Sequence, residues 1–423
     1  MACTVQSCSI LGVDGVPVQV EVDLLRRLPG VTIVGLAGSA VRESSERVRS
    51  SIQRLGAPFP KQRVIINLAP ADLRKNGTAF DLPIAVGIIC ASGQAPIQHL
   101  SDTVFIGELS LEGELRSIRG ALAAAYMARQ NGARRVVLPE ANAREAGSVN
   151  GITALGARNL EQVVSWLKGL SSLQRPTSTP VASRPSHLDL SEVRGQQRAR
   201  RALELTAAGD HNLLLMGPPG CGKSMLAARL PSILPRPTDD EALEISRIHS
   251  VAGLLPPGTD LLSHRPFQAP HHTISVAGMY GNAALAPGEL TLAHLGVLFL
   301  DELPEFDRRV LELLRSPLET GRFSLSRAAG TVQLPARVTL VASANPCACG
   351  YLGHPERACI CTPAARNRYR SRSSGPLLDR IDLQVWVGPV PAHCLTTDQA
   401  SESSREVNAR VLTARARQAA RLM

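Results

Sequence analysis

The stretch from Leu213 to Ser224 constrains this chain more than any other. Leu213-Leu214-Leu215-Met216 is a short apolar run, and Gly217-Pro218-Pro219-Gly220-Cys221-Gly222-Lys223-Ser224 follows it directly. Such a run reads as a strand buried on both faces, and Gly-x-x-x-x-Gly-Lys-Ser then turns the chain into a helix. Gly217, Gly220 and Gly222 let consecutive N–H groups turn inward as an anion nest. Lys223 has the reach for β- and γ-phosphates, and the Ser224 hydroxyl can ligate Mg²⁺. The helix opening near Lys223 adds its positive end to the same place. A bare glycine-rich turn would not need every one of these positions, so the pattern predicts a loop that binds ATP or a close relative.

Two later strand patterns carry polar groups that suit the same ligand. Gly296-Val297-Leu298-Phe299-Leu300 runs into Asp301 and Glu302. An Asp at the end of a buried parallel strand can hold the Mg²⁺ shell, and the adjacent Glu can polarise an attacking water. Val338–Ser343 reads as another buried strand leading to Asn345, whose amide either orients that water or simply opens the Asn345-Pro346 turn. Further on, Arg380 falls on a short turn between a helix and a strand. A planar guanidinium there suits a finger reaching the γ-phosphate in a neighbouring subunit, or a structural pair with Asp379 or Asp382.

The 423 residues allow two or three domains. The clearest boundary is 171–186, rich in Ser and Pro and too polar to bury a core, which reads as a linker. It separates a 1–170 domain from a nucleotide-binding core at 187–392, with 393–423 as the start of a helical lid. Before the linker, strands at Val18–Val22, Thr32–Leu36, Arg63–Ala69, Thr103–Glu108 and Arg135–Pro139 alternate with helices at Ser39–Arg54, Phe80–Ala91 and Ile118–Asn131. After it, a helix at Gly195–Gly209 precedes the loop. A long stretch of low periodicity runs from 236 to 287, a helix falls near Asp307–Thr320, and Phe323–Leu334 alternates like a hairpin with Arg327 near its tip. The class is α/β, with a doubly wound parallel P-loop sheet in the second part. No apolar run is long enough to span a bilayer, the N-terminus lacks a signal pattern, and the nine cysteines are an odd count, all of which fit a cytoplasmic protein. A net charge of +10 favours a polyanionic partner, nucleic acid first.

With these elements in order, the chain resembles the magnesium-chelatase-like branch of AAA+ ATPases, and more closely the ComM/YifB family. The likeness runs through Gly35–Ser44, Asn67–Leu73, Phe80–Ala85, Phe267–Thr273, Ala344–Cys347 and Ser374–Asp382. It implies ATP and Mg²⁺ as cofactors, Asn345 as sensor, Arg380 as arginine finger, and a homo-oligomeric ring, hexameric, with ATP between subunits. It implies an ATPase that moves branched or single-stranded DNA as a helicase in natural transformation. The alternatives are a chelatase-type motor acting on a protein partner, or an ATP-binding but inactive product. The N-terminal part is similar to a Lon-protease fold. There Ala79 takes the place of the nucleophilic serine and Leu122 that of the lysine, so proteolysis is not expected.

Cys347-Ala348-Cys349 and Cys359-Ile360-Cys361 bring four thiols into one core-less loop. Structural Zn²⁺ would tie it, although the one-residue spacing within each pair is tighter than usual; four reduced free cysteines are the other reading. Arg366, Arg368, Arg370 and Arg372 follow as a basic surface near Arg380. The paired His271 and His272 lack a third ligand at useful spacing and read as structural or pore residues. Glu406–Leu422 reads as a helix without a stop signal before Met423. The family pattern continues for further helices, so a lid cut short is expected, with binding kept and turnover or assembly impaired.

Overall fold

A computed structural model describes residues 2–75, 77–176, 188–256, 258–328, 330–373, 375–390 and 401–422. Most of the expected linker, 177–186, and the junction at 393–400 lie outside the described residues. Two compact units form: Met1–Ala182 with Ser246–Leu262, and Ser183–Ile245 with Ser263–Met423. The middle segment Ser246–Leu262 therefore groups with the first unit, which a purely sequential division does not anticipate.

In the first unit the chain runs through β1 (Cys3–Leu11), β2 (Asp14–Leu25), β3 (Gly30–Val34), α1 (Ser39–Arg54), β4 (Arg63–Ala69), α2 (Asp81–Ala91) and β5 (Thr103–Phe105). The hairpin β6 (Glu108–Leu109) and β7 (Leu115–Arg116) follows, then α3 (Ala121–Gln130), β8 (Arg135–Pro139), α4 (Glu140–Gly147), β9 (Thr153–Ala157) and α5 (Leu160–Leu167). Seven strands form one mixed sheet in the order β3-β4-β2-β1-β5-β8-β9. Strand β1 has no counterpart in the sequence reading because its buried face is half polar: Cys3 and Val5 are followed inward by Ser7 and Ser9. The Ser7 hydroxyl donates to the Phe105 carbonyl at 3.0 Å, which makes that burial tolerable. Helix α2 is apolar all round and buried nearly throughout, as a helix packed on several sides must be.

The second unit contains α6 (Gln197–Gly209), β10 (Leu213–Met216), α7 (Lys223–Ile233), the start of α8 (Asp239–Ala252), β11 (Phe267–Gln268), α9 (Val276–Tyr280), α10 (Glu289–Leu292) and β12 (Val297–Leu300). It continues with α11 (Arg308–Leu313), α12 (Arg315–Thr320), β13 (Arg322–Arg327), β14 (Gly330–Pro335), β15 (Thr339–Ala344), α13 (Pro363–Arg370), α14 (Gly375–Leu378), β16 (Leu383–Trp386) and α15 (Ser404–Leu422). Five strands make a wholly parallel sheet in the order β11-β12-β15-β10-β16. Its two faces feed separate cores. Leu213, Leu215, Val297, Phe299 and Val341 face one, while Leu214, Leu298, Leu300, Leu340 and Ala342 face the other. Burial on both sides explains why these strands read as unbroken apolar runs. No helix among the described residues is long and apolar enough to cross a membrane.

The stretch 236–287, low in periodicity, holds helix α8 at Asp239–Ala252. Thr238 and Glu241 form a capping box: the Glu241 carboxylate accepts the Thr238 N–H at 3.0 Å, and the Thr238 hydroxyl accepts the Glu241 N–H at 3.3 Å. Three acidic residues in the first turn add to it. The apolar stripe of Ala242, Ile245 and Ile248 is sparse enough to escape a periodicity reading.

Candidate nucleotide site

The loop between β10 and α7 has the backbone its glycines dictate. Gly220 and Gly222 take φ of +76° and +89°, a region that L side chains rarely enter. Gly217 is needed for a different reason: a Cβ there would stand 2.0 Å from the Val387 carbonyl oxygen. The loop is braced by Gln196, whose amide donates to the carbonyls of Cys221 at 3.2 Å and Gly388 at 2.7 Å. Pro218 is buried, Pro219 exposed, and burial raises the Cys221 thiol above its ordinary value against the pull of Lys223.

Lys223 opens α7 and is 91% buried, its ammonium donating to the carbonyls of Gly217 at 2.8 Å and Pro218 at 2.9 Å and to Asn345 Oδ1 at 3.1 Å. Among the described residues no carboxylate lies within ion-pair distance of it. A buried cation held by neutral partners, with Cys221 Sγ also at 3.9 Å, is suited to an arriving anion. The Ser224 hydroxyl donates to Asp301 at 2.7 Å, and Ser343 donates to the other Asp301 oxygen. Hydroxyl and carboxylate oxygens side by side are the donor set a hard divalent cation takes, so Ser224 and Asp301 fit Mg²⁺.

Parallel register explains why these groups meet. Leu214 lies opposite Ala342 and Leu298 opposite Leu340, so β10, β12 and β15 end together and deliver Gly217, Asp301 and Asn345 to one edge. Glu302 has φ of +56°, a strained setting for a non-glycine residue, and its N–H donates to Ser343 at 3.1 Å. That arrangement separates the two neighbouring carboxylates: Asp301 turns to the hydroxyls while Glu302 stands free of them. His272 Nδ1 comes to 4.0 Å from the Glu302 carboxylate, and its ring lies 4.1 Å from that of His271.

Three contributors were missed by sequence reasoning. Ser343 and Gln196 carry no motif of their own, and His272 was read without a site. The signal for Ser343 was a hydroxyl in an otherwise apolar buried strand. Asn212 is a fourth brace: its side chain accepts the Leu340 N–H at 2.8 Å and donates to the Arg380 carbonyl at 2.9 Å, joining the starts of three strands.

Arg380 is not brought to this edge. It precedes β16, whose first residue, Leu383, pairs with Leu213 at the start of β10, so it belongs to the opposite edge of the sheet. Its guanidinium pairs with Glu319 and donates to the Pro376 carbonyl at 2.6 Å, while its Nε is buried without a partner among the described residues. At the tip of the β13–β14 hairpin, Arg327 is exposed and donates to the Gly281 carbonyl at 3.3 Å. The arginines of 366–372 begin on helix α13 and are spread around it rather than aligned on one side.

The four loop thiols are brought together. Cys347, Cys349, Cys359 and Cys361 place all their sulfurs within 4.8 Å of one another, and all four are free thiols. Hydrogen bonding by the Tyr351 N–H brings the Cys349 thiol down to about 6.

A parallel sheet with a Gly-Lys-Ser loop, a strand-end Asp-Glu and a facing Asn defines a P-loop ATPase module of the AAA+ class. The chain matches the family described as "Magnesium chelatase, subunit ChlI" over residues 189–395, and "Subunit ChlI of Mg-chelatase" over 20–142. It is 45% identical to YifB of Escherichia coli over 417 residues, covering 98% of this chain and 81% of the relative. It is 43% identical to the competence protein ComM of Haemophilus influenzae, covering 97% and 81%. Lon protease 1 of Hydrogenovibrio crunogenus matches at 29% identity over 142 residues, 30% of this chain and 17% of that protein. The chain belongs to the YifB/ComM family of magnesium-chelatase-like AAA+ proteins.

Proposed function

We propose that this chain is an ATP-driven motor that acts on branched or single-stranded DNA, working in the cytoplasm as a homo-oligomeric ring, hexameric, during natural transformation. The observation that carries the ATPase part is the meeting of Lys223, Ser224, Asp301 and Asn345 at one sheet edge. The loop 217–224 holds the phosphates, Lys223 exchanging its carbonyl partners for phosphate oxygens. Mg²⁺, when bound, neutralises phosphate charge, with Ser224 and Asp301 as its holders. Glu302 polarises the attacking water and Asn345 orients it. Arg380, placed away from its own loop, serves the site of a neighbouring subunit after leaving Glu319. The loop thiols hold structural Zn²⁺.

DNA is supported by the net charge of +10, by the exposed hairpin tip at Arg327, and by the kinship with a competence protein. Phosphate contacts of this type carry no sequence preference and weaken steeply with salt. The test is fluorescence anisotropy with forked DNA, with and without ATP, across a salt series. Salt-sensitive binding that responds to nucleotide is expected. Absence of binding in every nucleotide state overturns the DNA reading and leaves the chelatase-type motor acting on a protein partner, which the family match over 189–395 supports.

A further inference from the structure

The cysteine loop is attached to the nucleotide site at both ends and in the middle. Cys347 follows Asn345 by two residues, and Asn345 Oδ1 accepts from Lys223 at 3.1 Å. At the other end, Cys361 precedes α13 by two residues, and the Tyr369 hydroxyl of that helix is hydrogen-bonded by the Asn345 backbone. Between them, Gly350 packs on the phosphate loop: a Cβ at its position would lie 2.7 Å from Pro219 Cδ. Its φ of +83° and its N–H bond to the Cys347 carbonyl at 2.9 Å fix that approach.

Ile360 of this loop is 86% exposed, the Trp386 ring packs at Gly353, and the four sulfurs gather in one cluster. The sulfur separations are 3.3 Å for Cys347–Cys349 and 3.6 Å for Cys347–Cys359 and Cys349–Cys359. Tetrahedral Zn²⁺ with bonds of about 2.3 Å spaces its thiolates about 3.8 Å apart, so the cluster is near the size the ion requires.

We infer that the tetrathiolate Zn²⁺ site and the ATP site are energetically coupled, the metal fixing the loop that positions Asn345 against Lys223 and packs Gly350 on Pro219. The inference rests on reading the thiols as Zn²⁺ ligands. A metal that orders its own loop contributes folding free energy to everything that loop holds in place. The coupling is reciprocal: Zn²⁺ tightens nucleotide binding, and nucleotide tightens Zn²⁺ binding by the same factor. Cys347, Cys349, Cys359 and Cys361 are thus positioning residues, acting through Asn345 and the phosphate loop.

Zinc content, nucleotide affinity and zinc retention in the full chain test this. Metal analysis of protein purified without chelator gives about one Zn²⁺ per chain, and Cys349→Ser with Cys361→Ser abolishes it. Removing the metal weakens binding of a fluorescent ATP analogue at least about fivefold, the lower end of typical coupling, and adding Zn²⁺ back restores it. Restoration separates coupling from misfolding. The reciprocal arm needs no apo protein: saturating Mg²⁺-ATP lowers the equilibrium fraction of Zn²⁺ lost to a competing chelator, and Lys223→Ala removes that protection while keeping the metal. Absence of zinc from the purified chain sinks the metal reading itself. Bound zinc with nucleotide affinity unchanged within twofold, and no protection by ATP, overturns the coupling alone.

Discussion

The two units build α/β sheets from similar alternations but differ in what their sheets bring together. In the second unit the five-stranded sheet is wholly parallel, so the ends of β10, β12 and β15 share an edge and Lys223, Asp301 and Asn345 converge there. In the first unit the sheet is mixed, and the resemblance to a Lon-type fold implies Ala79 and Leu122 where a nucleophile and base would stand. Leu122 is fully buried, a packing residue on α3, and can neither accept nor deliver a proton. The likeness to a Lon protease covers 142 residues at 29% identity, and likeness of fold does not by itself carry a reaction across. A shared fold sets where a site can stand; the side chains decide whether one does.

The largest expected effect tests the chemistry of the second unit. Glu302→Gln keeps the shape of the side chain and removes its charge. Loss of a positioned general base lowers kcat by about 10²–10⁴-fold. Nucleotide affinity should change little, because phosphate contacts come from the loop. Steady-state ATPase kinetics beside equilibrium binding of a fluorescent analogue check this split. Turnover within tenfold of the unaltered chain would assign the base to another group.

The first unit is tested next, through packing rather than chemistry. Leu122→Ala should cost about 2–5 kcal/mol of stability, as for other buried Leu truncations. The chain has two tryptophans, and Trp166 packs against the core of the first unit while Trp386 lies on β16 of the second. In a Trp386→Phe background, urea unfolding followed by Trp166 fluorescence reports the first unit. A loss below about 1 kcal/mol would mean that Leu122 is not the core residue its burial indicates.

What the sequence could reveal follows from how local each feature is. The phosphate loop and the strand-end carboxylates are contiguous, so Gly217, Lys223, Asp301 and Glu302 were legible together. Ser343 was not, since its value depends on β12 and β15 being neighbours, which only the sheet order establishes. Likewise Gln196 braces Gly388, a residue remote in sequence, and no spacing rule connects them. Strand β1 escaped because two serines sit on its buried face, Ser7 being satisfied by a carbonyl 98 residues away. Helix α8 differs: its capping box is written within four residues, Thr238 to Glu241, but its apolar stripe is too thin to show as a period.

A smaller effect separates phosphate binding from the coupling of the loop to metal. Lys223→Ala removes an ammonium whose charge-assisted bonds are worth about 1.5–3 kcal/mol, or roughly 10- to 150-fold in affinity. Binding of the fluorescent analogue should weaken by that factor. Thermal stability of the first unit, read at Trp166, should be unaltered. Unchanged nucleotide affinity would remove the phosphate loop from the proposed site.

The smallest effect concerns the start of α8. Thr238→Ala deletes the hydroxyl that accepts the Glu241 N–H at 3.3 Å, while the Glu241 carboxylate still accepts the Thr238 N–H. Half a capping box is lost, so the cost falls at about 0.5–1 kcal/mol, the lower part of the usual range. Glu241→Gln keeps an amide oxygen for the Thr238 N–H but removes the negative charge, and with it the ion pair with Arg265 at 2.8 Å. Burial pushes the Glu241 carboxyl up, but the Thr238 N–H and the Arg265 guanidinium outweigh it and hold the pKa below 4.5. A depressed folded-state pKa means stability that is present above the unfolded value and lost as pH falls through the folded one. The cost of Glu241→Gln should therefore be full near neutrality and shrink in acid, whereas the hydroxyl of Thr238 does not titrate and its cost should stay level. Urea unfolding followed at Trp386 in a Trp166→Phe background, at neutral and acidic pH, compares the two. Equal pH dependence for both substitutions would show that Glu241 contributes as a packing group rather than as a charged cap.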